Sequence, residues 1–184
     1  MKELEQKLIA FGADHTAVLP SGQIRFEPSL ITLCQSNACG NYGRNWTCPP
    51  YVGKTEELIA KAKSFQKILV FQKIYPLRDS FDAEGMERSC RNFQSIIMTV
   101  NDFCRDADFP HILLGAGGCR YCGECAAVYG QPCRFPDKKI ASLESYSIQV
   151  SSLAEACGLK YINGANTVTY FGGILYNEDS LGSK

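Results

Sequence analysis

The chain has only two histidines, His15 and His111, one tryptophan, and no excess of either charge. Lysine plus arginine equals aspartate plus glutamate at 19 each, which argues against a nucleic-acid or anionic-membrane partner. No apolar run reaches membrane-spanning length. The N-terminal MKELEQKLIAFGADH is charged and amphipathic, unlike a secretion signal, so cytoplasmic residence is expected. A phosphate-binding glycine loop is missing: GAGGC lacks the downstream lysine and its spacing. There is no dinucleotide fingerprint, no linker and no internal repeat. No nucleophile–base pair stands out among SLESYS, VSSL and NTVT, which read as helix and strand surface.

What the sequence does have is cysteine, ten in 184 residues. In a reducing compartment that density does not read as a disulfide framework, and metal or redox chemistry leads. Three of the ten have a packing explanation. Met86, Cys90, Phe93, Ile97, Val100 and Cys104 recur at steps of 4, 3, 4, 3, 4 and predict one face of a helix from about 81 to 106. Free cysteine in such a stripe behaves as a small hydrophobe. Leu143, Tyr146, Val150, Leu153 and Cys157 predict a second helix from a Ser142 cap to Gly158. Cys157, at its end, is the one stripe cysteine that could face a site.

The other seven fall in two loop-like stretches, residues 34–50 and 115–137. Cys34, Cys39 and Cys48 are spaced C-x4-C-x8-C, and Cys119, Cys122, Cys125 and Cys133 are spaced C-x2-C-x2-C-x7-C. A structural zinc takes four ligands in a tight tetrahedron, usually from two separated C-x2-C knuckles. Three thiolates in consecutive x2 steps suit that geometry poorly. They suit a 4Fe–4S cubane, whose irons occupy separate corners, as in the C-x2-C-x2-C run of bacterial ferredoxins. The gap of seven before Cys133 departs from the ferredoxin spacing and leaves open which cluster Cys133 serves. Glycines 115, 117, 118, 123 and 130 would let amides approach sulfur. Arg120, Arg134, Lys138 and Lys139 could offset an anionic cluster, although the lysines read better as a solvated face.

The first set has three thiolates, one short of a full cubane ligand set. Cys-Pro-Pro at 48–50 resembles a cluster terminus, because proline stiffens the exit and removes an N–H. The missing ligand would be Cys133 crossing over, Cys157 reaching in, or a non-cysteine group. An iron left open could bind substrate as a Lewis acid. A zinc held by the trio with a His or Asp is the competing reading, but neither histidine is close in sequence.

Elsewhere, helices are expected at 2–12 and after a Thr55 cap. TAVLPSGQIRF reads as two short strands around a Pro-Ser-Gly turn. KILVFQKIY and HILL read as buried strands, and TVTYFGGILY as a last strand with a bulge or close backbone approach at its glycines. The fold class is α/β: one compact domain, 1–184, with a mixed sheet flanked by helices and the two cysteine-rich loops on one side.

CGNYGRNWTCPP, GGCRYCGECAAVYGQPCRFPDKKIASLESYSIQV and NTVTYFGGILY resemble a prokaryotic family of predicted metal-binding proteins of unknown function. The resemblance runs from about Cys34 to Tyr176. It implies metal binding through Cys34, Cys39, Cys48, Cys119, Cys122, Cys125 and Cys133, leaving out Cys90 and Cys104, and supplies no reaction. Three functions are therefore carried forward. The first is a 4Fe–4S protein, with one or two clusters, acting in electron transfer or as a redox accessory with a partner protein. The second is an enzyme with a site-differentiated cluster acting on a small sulfur-containing or anionic substrate, motivated by the missing ligand and by Arg44, Arg120 and Arg134. The third is a zinc-stabilised binding module.

Overall fold

A computed structural model describes residues 2–178. Five strands form one mixed sheet in the order β1-β2-β5-β3-β4. They are β1 (His15–Pro20), β2 (Lys67–Pro76), β3 (His111–Gly115), β4 (Ala141–Ser142) and β5 (Thr167–Tyr176). β5 pairs antiparallel with both β2 and β3, and short β4 runs parallel to β3.

Alternation along the central strands splits the core into two layers. Ile68, Val70, Leu114, Phe171 and Leu175 face α3 (Thr55–Lys63) and α5 (Val150–Ala156). Leu69, Phe71, Leu113, Ile174 and Tyr176 face α1 (Lys2–Ala10) and α4 (Ala83–Asp106). Burial on both faces explains why β2 reads as a continuous apolar run rather than an alternating one.

The paired glycines of β5 mark a close approach. Gly172 lies opposite Phe71, and a Cβ there would stand 2.3 Å from the ring. At Gly173 a Cβ would stand 2.8 Å from Ile68.

The long helix forms where its stripe places it. Phe93, Ile97, Val100 and Cys104 are buried, while Cys90 is half-buried. Asp82 caps it, accepting from Gly85 N at 3.0 Å and pairing with Arg78 at 2.7 Å. No helix among the described residues is long and apolar enough to cross a membrane.

Three local expectations are corrected. Residues 142–158 are not one helix. Ser142 ends β4, a 3₁₀ turn spans Glu144–Tyr146, Ser147 turns left-handed (φ 57°), and α5 begins only at Val150. The break follows from backbone capture: Ser147 O accepts from Glu27 N (2.7 Å), Gln149 N donates to Arg25 O (3.1 Å), and Ile148 bridges to Phe26. For the same reason Gln23–Phe26 does not return along β1 as a second strand. At α3 the cap position belongs to Lys54, without a side-chain bond, rather than to Thr55.

Candidate metal centre

Cys34 is not in a loop. It lies in the last turn of a short helix, α2 (Leu30–Gln35), which the sequence reading did not anticipate. Beyond it the chain folds into tight turns. Asn37, at φ 52°, accepts Tyr42 N on its side chain at 3.0 Å, and Gly43 N donates to Pro49 O at 2.9 Å. These turns bring Cys39 and Cys48 back beside Cys34.

The three thiols share the lining of a cavity of about 280 Å³ with Gly117, Gly118, Ser142, Glu144 and Ser145. Burial pushes the Cys48 thiol up to about 12, reinforced by its neighbours Cys39 and Cys34 and opposed by a bond to Thr47. Burial also raises Cys34, with Cys39 and the Glu144 carboxylate adding to it. Glu144 opens onto the cavity, yet the protein packed around its carboxyl lifts it above the usual carboxylate range. Among the described residues, no lysine, arginine or histidine lines this cavity. Its ionisable groups are therefore potential anions without a facing cation, the environment in which a metal cation is most stabilising.

Cys119, Cys122, Cys125 and Cys133 line a second space with Asn45, Trp46, Thr47, Tyr121, Phe135 and Lys139. It is tight, about 10 Å³. Burial raises the Cys119 thiol, while the backbone N–H groups of Tyr121 and Ile140, directed at its sulfur, lower it. Trp46 N donates to Cys125 Sγ at 3.5 Å. Among the expected cations, Lys139 faces this space, Lys138 pairs with Asp102 at 3.0 Å, and Arg134 donates to Glu124 O at 3.2 Å.

The segment 45–47 joins the two sets. Asn45 Nδ2 donates to Cys119 O (2.9 Å), Cys119 N donates to Thr47 Oγ1 (3.1 Å), and Trp46 Nε1 donates to Gln131 O (3.0 Å). Arg44 and Glu124 add an exposed ion pair at 3.9 Å. Cys48 lies within electrostatic reach of Cys125. All seven of these cysteines thus gather in two adjacent sites.

The remaining cysteines stay apart from both sites. Cys104 is fully buried in the α4 stripe, Cys90 faces Tyr170, and Cys157 packs on the α3–α5 core. His111 opens β3 with Nδ1 at 2.8 Å from Phe109 O, and exposed His15 opens β1. Glu144 is the residue sequence reasoning missed, since the helical stripe around it drew attention only to its apolar neighbours.

A larger groove of about 500 Å³ beside β3 contains no cysteine. Among the described residues, no three His, Cys, Asp or Glu side chains are drawn together closely enough to hold a single metal ion. The thiols line cavities instead of closing on a point. The donor set still fits a metal–sulfur group: thiols share a wall in each site, and amides are directed at the sulfurs of Cys119 and Cys125.

No curated protein and no solved structure matches the chain significantly. A family profile does, over residues 17–176, and the chain belongs to that family, described as predicted metal-binding protein (DUF2284).

Proposed function

We propose that the chain is an iron–sulfur protein that holds a 4Fe–4S cluster at each cysteine site and serves as an electron carrier or redox accessory in the cytoplasm. Cys34, Cys39 and Cys48 would hold the first, and Cys119, Cys122, Cys125 and Cys133 the second. The observation that carries this reading is the directed N–H groups of Trp46, Tyr121 and Ile140 at the sulfurs of Cys125 and Cys119. A neutral thiol accepts hydrogen bonds weakly, whereas a cluster-bound thiolate accepts them well and has its potential tuned by them. The 280 Å³ first cavity and its lack of a protein cation support the same reading.

Bound there, such clusters supply one-electron couples. The chain would accept one electron from a redox partner protein and release one to an acceptor. The residues' own task is to hold the two centres side by side. The 45–47 segment does this, bonded to both the Cys119 backbone and Cys125 Sγ.

A second reading applies to the second site alone. The tightness of the space among Cys119, Cys122, Cys125 and Cys133 favours a single zinc there, with a structural role. A cubane at that position requires the 119–133 loop to move outward. Iron, acid-labile sulfide and zinc per chain, measured on protein purified without oxygen, test both. About eight iron and eight sulfide are expected for two cubanes. About four of each with one zinc would support the mixed reading, and zinc without sulfide would overturn the iron–sulfur assignment.

A further inference from the structure

Three thiols leave the first centre one ligand short, and the two cysteines that the sequence offers for the place are engaged elsewhere. Cys133 lines the second site, and Cys157 packs on the α3–α5 core and lines neither cavity. Among the described residues that line the cavity with Cys34, Cys39 and Cys48, the one carboxylate is Glu144.

Its position is built. The 3₁₀ turn Glu144–Tyr146 is fastened to the sheet by Leu143 N donating to Gly115 O at 3.0 Å. Ser145 N donates to Ser142 Oγ at 3.1 Å, and Ser145 Oγ to Ser142 O at 2.8 Å. Leu143, Ser145 and Tyr146 are buried, whereas Glu144 opens onto the cavity. Four consecutive residues thus present one acid to the cavity that the three thiols line; Ser142 hydrogen-bonds its carboxylate, and among the described residues no lysine, arginine or histidine on the lining pairs with it.

We propose that Glu144 is the fourth protein ligand of the metal held by Cys34, Cys39 and Cys48. This rests on the reading that those cysteines bind metal. A carboxylate is a harder donor than thiolate and less suited to iron in a sulfide environment. The iron it holds is therefore the exchangeable one, and the first centre is the one at which a small anionic or sulfur-bearing ligand can enter by displacing Glu144.

The full chain and its E144Q, E144C and E144A variants are reconstituted anaerobically with iron and sulfide. Iron content, the EPR spectrum of the reduced protein, and the rate of conversion to a three-iron form under ferricyanide are then read. Circular dichroism checks that each variant is folded, and E144Q keeps the shape of the side chain. We expect E144Q to change the EPR spectrum of the first centre. We also expect it to speed iron loss by at least the roughly 10- to 100-fold seen when a ligand's outer-shell partner is removed. E144C should slow iron loss below the wild-type rate.

Folded E144Q and E144A with wild-type EPR and iron-loss rate would overturn the proposal while leaving the cluster assignment standing. If the wild type takes up no iron and sulfide, that assignment fails, and cobalt(II) then probes the same pocket. Its thiolate charge-transfer bands should appear with the wild type and weaken or shift in E144Q. Identical cobalt spectra, or no cobalt uptake, would overturn the role of Glu144.

Discussion

The backbone N–H of Trp46 donates to Cys125 Sγ at 3.5 Å, across 79 residues of sequence. One cysteine loop therefore supplies a hydrogen bond to a sulfur of the other. With Thr47 accepting from Cys119 N at 3.1 Å, the two loops are joined by hydrogen bonds instead of standing as separate appendages.

Thr47 is the buried joint between them. Replacing it by valine keeps the shape but removes the acceptor for Cys119 N and the Oγ1 bond to Asn45 Oδ1 (3.0 Å). T47V should lose about 1–3 kcal/mol, the cost of leaving a buried N–H unpaired. It should also release metal faster from the 119–133 site, and thermal melting with a chelator-release assay reads both effects.

The two centres should be separable by cysteine. C39S is expected to remove the first centre's contribution to the spectrum and about half the iron of a two-cubane protein, leaving the second in place. C122S should do the reverse. Loss of all metal in either single variant would show that the centres do not assemble independently.

Cys104 and Cys90 should be irrelevant to metal. Cys104 is fully buried among apolar side chains, where burial pushes its thiol up to about 12. C104A should cost about 1 kcal/mol of transfer and cavity energy. C104S, which buries a hydroxyl, should cost about 1–3 kcal/mol. Neither should change iron, sulfide or zinc per chain. Metal loss in a folded C104A protein would contradict the packing assignment.

Asp82 sets an acid limit on the long helix. The Arg78 side chain holds its carboxyl well below the usual carboxylate range, helped by the N–H groups of Arg78 and Gly85. Because the folded value is depressed, the stabilisation is complete above the unfolded value of about 3.9 and is lost as pH falls below it. D82A should melt at a lower temperature than the wild type at neutral pH. The gap should narrow steadily below about pH 4. A gap independent of pH would mean that the aspartate acts through shape alone.

Much of this was legible in the sequence, for a physical reason. The α4 stripe follows from a 3.6-residue period and strong amphipathicity, and the strands of the central sheet from apolar runs that need burial on two faces. Both are local properties that tertiary context had little cause to override. The separation of Cys90 and Cys104 from the seven candidate ligand cysteines rests on the same period. The 142–158 stretch misled because Leu143, Tyr146, Val150 and Leu153 are indeed buried, at helical spacing, without a continuous helix. Periodicity reports which side chains seek the core. It does not report that Glu27 N will donate to Ser147 O or that Arg25 O will accept from Gln149 N.

The sequence alone therefore determined the α/β class, the core faces of the helix and strands, and the division of the cysteines, because each depends on residues close together in the chain. Only the tertiary structure decided the strand order, the joining of the two cysteine loops through residues 45–47, and the placing of Glu144 in the cavity lined by Cys34, Cys39 and Cys48. These depend on contacts between distant segments, and no local pattern of residues records them.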